Sequence, residues 1–139
     1  MSKLFNFDIN EAESRQRAMK FLKRYWRIRH IAGNVSHLKS PSYNHTPKSH
    51  NNENGQETRT IKAIEAQQVI DNIESALACL TDEHARLLRL TYMNATKLTT
   101  VNISMNLGMG ESMYKYHKAV ALVEFAEAYP TGELLIYRK

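Results

Sequence analysis

Thr99-Thr100-Val101-Asn102-Ile103-Ser104-Met105-Asn106-Leu107-Gly108-Met109-Gly110-Glu111-Ser112-Met113-Tyr114-Lys115-Tyr116-His117-Lys118 is the stretch that decides the fold of this chain. Thr99 or Thr100 stands where a helix cap belongs, because a hydroxyl there accepts from the free amides of the first turn. Ile103, Ser104 and Leu107 then recur at helical spacing as inward positions, and Gly108 ends the helix. Only Gly108, Met109 and Gly110 precede the next helix, which is the short glycine-bearing turn of a helix-turn-helix. Helices that cross at such a turn approach closely, so a small residue is needed at the crossing, and Ser104 supplies it. Gly108 reaches positive φ at little cost, and Met109 plugs the corner.

The helix after the turn is expected from Glu111 to Tyr129, where Pro130 stops it, with Tyr114, His117, Ala121, Leu122 and Phe125 facing inward. A recognition helix enters the major groove of DNA with its N-terminal half. The outward residues Glu111, Ser112, Met113, Lys115, Tyr116 and Lys118 are therefore the candidate DNA contacts, joined by Thr99 and Thr100 at the head of the preceding helix. Lys115 and Lys118 can neutralise phosphates or donate to guanine, Ser112 can serve either role, and Met113 or Tyr116 can touch a thymine methyl. Gly110 occupies the cap position, where it is weaker than Ser by a few tenths of a kcal/mol. Glu111 beside it either accepts from a cytosine amino group or helps exclude wrong sites. His117 reads as a hydrogen-bonded neutral imidazole facing the core.

Towards the N-terminus, Thr81 is placed to cap a further helix, with Asp82 and Glu83 in the first turn where the helix dipole favours acids. Ala85, Leu87, Leu88, Leu90, Thr91 and Tyr92 form its apolar face, and residues 94–98 read as a loop. Before it, residues 60–80 are helical, with Ala66, Val69, Ile70, Ile73, Ala76, Leu77 and Leu80 on one side. Cys79, the sole cysteine, reads as a small buried thiol and excludes an internal disulfide. Residues 34–58 hold little apolar content and are expected to form a flexible linker. His37, His45 and His50 in it lack the helical spacing that preorganises a metal site, and neither metal nor cofactor is expected.

From Asp8 to Ala32 the pattern is a basic amphipathic helix, with Asp8 as cap and Gly33 as stop. Ala18, Phe21, Leu22, Tyr25, Ile28 and Ala32 make its stripe, and Arg15, Arg17, Lys20, Lys23, Arg24, Arg27 and Arg29 fill the rest. Such a helix can lie on a partner helix, including its own copy in a homodimer, on a phosphate backbone, or on an anionic membrane surface. The only strand-like segment is Leu134 to Tyr137. The expected class is all-α in three parts: an N-terminal basic helix (1–33), a linker (34–58) and a helix-turn-helix domain (59–139).

Charge and composition agree with a polyanionic partner. Among 139 residues, 19 Lys and Arg face 14 Asp and Glu, a formal charge of +5. No apolar run is long enough to span a membrane, and the first residues lack a secretory core, so a cytoplasmic location is expected. An enzyme is disfavoured: the acids are scattered over helix surfaces, the histidines have no evident nucleophile, and Gly108-Met109-Gly110 lacks the Lys-Ser/Thr of a phosphate loop.

Leu80-Thr81-Asp82-Glu83-His84-Ala85-Arg86-Leu87-Leu88-Arg89-Leu90-Thr91-Tyr92 resembles the helix that opens the promoter-reading fourth region of bacterial sigma factors. Tyr114, His117, Ala119, Ala121, Leu122 and Phe125 fall where that region keeps its apolar spacing. Over nearly its whole length the chain resembles the ArpU (autolysin regulatory protein) family of phage transcriptional regulators. Ser42-Tyr43-Asn44-His45-Thr46-Pro47-Lys48-Ser49, the Ile61 to Leu80 helix, and Lys118-Ala119-Val120-Ala121-Leu122-Val123-Glu124-Phe125-Ala126 carry that resemblance. It implies a prophage-encoded regulator, with activation the expected sign, of late or lysis genes in a Gram-positive host, with double-stranded DNA and host RNA polymerase as partners. The alternative is a DNA-packaging protein of the small-terminase kind, which also joins helix-turn-helix domains to oligomerising helices.

Overall fold

Apolar residues at three- and four-residue intervals need a partner surface, and the computed structural model shows how each stripe finds one. It describes residues 8–33 and 50–138, with the side chains of residues 50–54 left aside. The Ser42 to Ser49 motif, His37, His45 and the greater part of the expected linker lie outside the described residues. Among the described residues six α-helices follow in order: α1 (Glu11–Leu22), α2 (Tyr25–Ala32), α3 (His50–Ala78), α4 (Asp82–Leu88), α5 (Thr100–Leu107) and α6 (Glu111–Ala128). A π-helical turn, Arg89–Met93, extends α4. The class is all-α. Among the described residues, β structure is limited to one antiparallel bridge between Ile9 and Tyr137.

Four expectations are corrected. The basic N-terminal helix is two helices, because the chain turns at Lys23 and Arg24, where the Arg24 amide closes back on the Phe21 carbonyl at 3.0 Å. Its cap is Asn10, not Asp8: the Asn10 side chain accepts from the Glu13 amide at 3.1 Å. The linker boundary moves as well, since α3 begins at His50 and takes in the last part of the 34–58 segment. Cys79 is exposed rather than buried. It lies just past the end of α3, where the turn after Ala78 carries it off the buried face.

The break at Lys23 allows the two short helices to face different partners. α1 packs on α6, and α2 packs on α3. Ala18, Leu22, Tyr25 and Ala32 are buried in the same cluster as Ile70, Ile73 and Leu77 of α3, Leu87 and Leu88 of α4, and Leu122 and Phe125 of α6. Phe21 stacks on Phe125 with ring centroids 6.3 Å apart and meets Tyr129 edge-on at 5.1 Å. In packing, residues 8–33 therefore share the core of the C-terminal half rather than standing apart from it. Ala18, Leu22, Tyr25 and Ala32 of the apolar stripe are covered within the chain.

The C-terminal tail fastens this arrangement. The Asn10 amide donates to the Ile136 carbonyl and the Arg138 amide to the Asp8 carbonyl, each at 2.8 Å. Buried Ser14 accepts from the Ile136 amide at 2.9 Å, while Arg17 reaches the Glu133 carbonyl at 3.1 Å. The strand-like pattern of residues 134–137 thus finds an extended partner just before α1.

Candidate nucleic-acid interface

The turn between α5 and α6 is built as its residues demand. Thr99 caps α5, its hydroxyl accepting from the Asn102 amide at 3.1 Å. Ile103 and Ser104 are buried, and the Ser104 hydroxyl is satisfied by the Val101 carbonyl at 2.9 Å, so a small polar side chain sits in the crossing without cost. Gly108 adopts φ 71°, ψ 31°, the left-handed region in which an L side chain is strained. The Met109 amide bonds the Ser104 carbonyl at 2.9 Å and the Gly108 amide bonds the Met105 carbonyl at 3.1 Å. This is a Schellman ending, which satisfies carbonyls that the helix end leaves free. Met109 is half-buried against the core beside it.

α6 then starts at Glu111 with Gly110 at its cap position, where no side chain caps the helix. The inward set behaves as its spacing predicts: Tyr114, Ala121, Leu122 and Phe125 are buried, and His117 is half-buried. The Tyr114 hydroxyl lies 2.8 Å from Thr91 Oγ1, which also donates to the Leu87 carbonyl at 2.8 Å. That pair ties the roll of α6 to the end of α4.

The residues proposed to face a ligand fall into three groups. Glu111, Ser112, Met113, Lys115 and Tyr116 are exposed on the first turns of α6, with Tyr116 63 % exposed. Thr99 and Thr100 are exposed at the head of α5, but the Thr99 hydroxyl is engaged as the cap. Lys118 is half-buried, with Nζ 5.8 Å from the ring centre of Tyr92 and 5.9 Å from that of Tyr114. Burial holds its pKa below the ordinary lysine value, and the nearby charges of Lys23 and Lys115 push it the same way. Tyr92 beneath it has its hydroxyl pushed upward, chiefly by burial and then by Tyr114.

The mutual repulsion exposes a feature that sequence reading left open. Arg15, Gln16 and Met19 of α1 line one wall of a shallow groove whose other wall is Lys115, Lys118, Ala119 and Leu122 of α6. Lys23, at the end of α1, is close enough to weigh on Lys118. Cations from opposite ends of the sequence thus form one basic surface beside the exposed turns of α6. Like charges gathered this way cost free energy until an anion neutralises them.

Behind α6 lies a second polar group. His84 Nδ1 sits 2.6 Å from Glu124 Oε1, and His84 Nε2 sits 3.0 Å from His117 Nδ1. Thr81 caps α4 by accepting from the His84 amide at 3.3 Å, which aims the His84 ring at α6. The partners are 33 and 40 residues from His84, so no local spacing could have announced the chain Glu124–His84–His117.

Among the described residues, no helix is long and apolar enough to cross a membrane. No family model matches the chain, and no solved structure matches it. Among curated proteins, it is similar to a protein of Enterococcus hirae provisionally named autolysin regulatory protein ArpU. The two are 27% identical over 132 residues, which cover 94% of this chain and 96% of the relative.

Proposed function

We propose that the chain is a sequence-specific double-stranded DNA-binding protein, a phage or prophage transcriptional regulator of late or lysis genes, and not an enzyme. The observation that carries this reading is the α5–turn–α6 unit: a buried Ser104, a left-handed Gly108 and an exposed first stretch of α6 bearing Ser112, Met113, Lys115 and Tyr116. In this reading the unit is a helix-turn-helix and α6 is the recognition helix, entering the major groove N-terminus first. Lys115 and Ser112 read base edges or anchor on phosphate, and Met113 and Tyr116 offer apolar contact to thymine methyls. Lys118 further along that helix, with Lys23 and Arg15 beside it, supplies the phosphate contacts that dominate affinity.

The relative's regulatory name supports control of gene expression, and its length matches this chain nearly end to end. A map of genomic binding sites with a transcript readout after prophage induction tests the proposal. Binding upstream of a late promoter, with transcription changed on deletion, is the expected result. Enrichment at a packaging site would move the chain to the small-terminase alternative, and absence of any enriched site would reject sequence-specific binding.

A further inference from the structure

The two histidines of the hydrogen-bonded chain, with the neighbouring Glu83, have the chemistry of a metal-ion site. One ligand atom each from Glu83, His84 and His117 lie within 4.8 Å of one another. His84 is buried, His117 half-buried and Glu83 exposed, so the group opens to solvent on one side. We propose that Glu83, His84 and His117 bind a divalent first-row transition ion of the zinc type, through two imidazole nitrogens and a carboxylate oxygen. Imidazole nitrogen selects such ions over magnesium and calcium, which prefer all-oxygen sites.

The orientation of His84 supports this more than proximity does. At 2.6 Å from a carboxylate, Nδ1 of a neutral His84 carries the proton and donates it to Glu124, which leaves the Nε2 lone pair aimed at His117. A carboxylate behind a histidine that faces a metal is the usual supporting arrangement, because it fixes the tautomer and makes the ligating nitrogen more basic. Without a metal, His117 Nδ1 donates to that lone pair across 3.0 Å. Metal binding replaces this bond: His117 carries its proton on Nε2 instead of Nδ1, and both facing lone pairs then coordinate, with no net proton released.

The fit needs a modest rearrangement. Two nitrogens at zinc-ligand distance from a tetrahedral ion stand about 3.3 Å apart, so the imidazoles separate by a few tenths of an ångström, and each ring turns by about 35° to aim its lone pair at the ion instead of at the other nitrogen. Glu83 has further to travel, but its exposed side chain sits in the first turn of α4 and is free to change rotamer. Water completes the coordination. Because Glu83 and His84 are on α4 and His117 is on α6, the ion would clamp the two helices and fix the roll of α6, including Tyr116, whose ring meets His117 edge-on at 5.2 Å.

Titration of the full chain with Zn²⁺ alone, by calorimetry and by thermal unfolding, tests the proposal, with Co²⁺ as a spectroscopic probe. One equivalent should bind, the melting temperature should rise, and Co²⁺ should show the visible bands of a low-coordinate nitrogen–oxygen site. His117→Asn should abolish saturable binding. Glu83→Gln, at an exposed position where folding is not at risk, should weaken it about tenfold, and Glu124→Gln should weaken it roughly 10- to 100-fold as removal of a supporting carboxylate does. Replacing His37, His45 and His50 together by Ala should leave it unchanged. Absence of one-equivalent binding, unchanged affinity in Glu83→Gln, or loss on the triple replacement would each overturn the assignment. None of these readouts involves DNA, so the outcome is independent of the proposed function.

Discussion

Tyr114 and Lys115 are neighbours in sequence whose side chains do opposite things, and substituting each in turn tests the orientation of α6. Tyr114 is 2 % exposed, so Tyr114→Ala opens a cavity the size of a ring and should cost about 3 to 5 kcal/mol. At roughly 4 °C per kcal/mol for a chain of this size, the melting temperature should fall by about 12 to 20 °C. Tyr114→Phe isolates the hydroxyl. Thr91 Oγ1 keeps its donation to the Leu87 carbonyl at 2.8 Å, so only the Tyr114 bond is lost and about 0.5 to 1.5 kcal/mol goes with it.

Lys115→Ala should change stability by less than about 0.5 kcal/mol, as exposed positions usually do. It should instead weaken binding to a cognate operator by about 1 to 3 kcal/mol, about 5- to 150-fold, and relax preference at one base pair if the lysine reads a base. Urea unfolding followed by circular dichroism gives the first quantity, and fluorescence anisotropy on labelled operator DNA gives the second. Full stability in Tyr114→Ala with loss of DNA binding alone would refute the reasoning. It would mean that α6 is rolled by about 100° from the observed orientation, one residue's rotation on a helix, and the assignments of Glu111, Ser112, Lys115 and Lys118 would fail together.

If the groove cations touch DNA, log affinity should fall with log salt at a slope of roughly −5, and Arg15→Ala or Lys23→Ala should each make it shallower by about 1. A slope indifferent to both would confine the interface to α6. Lys118→Met should weaken DNA binding while leaving the fold as stable or more so, because the charge is held at a half-buried site that lowers its pKa; a clear loss of stability would contradict this. Gly108→Ala should cost about 1 kcal/mol in urea unfolding because φ is 71°, and Gly108→Asn should cost less, since Asn tolerates the left-handed region better. A fragment of residues 57–139 should lose cooperative unfolding, since it lacks the Phe21, Leu22 and Tyr25 contacts to the core; a sharp transition in that fragment would show that the core forms without residues 8–33.

What the sequence made legible here has short range. Thr81 and Thr99 cap because their hydroxyls meet amides three residues on, and Gly108 ends α5 because its own φ is positive. The inward stripe of α6 is likewise a periodicity inside one helix, and the exposed candidates Ser112, Met113, Lys115 and Tyr116 follow as its complement. The Asn10 cap and the break at Lys23 were local features that went unread, but the larger omissions concern partners distant in sequence. Ser14 and Ile136 are 122 residues apart, and nothing near Ser14 indicates that its hydroxyl will accept from the tail. The stripe of residues 18–32 was visible, but periodicity states only that an apolar face needs cover, not whether a second copy or α6 and α3 supply it. The same limit hid the basic surface. Lys23, a charge beside the stripe of residues 18–32, and Lys118, a candidate DNA contact, read as unrelated until packing brings α1 beside α6 and makes their repulsion part of the candidate site. A binding surface assembled across a helix–helix contact therefore depends on the packing of α1, so a core substitution such as Leu22→Ala should weaken DNA binding without removing any charge.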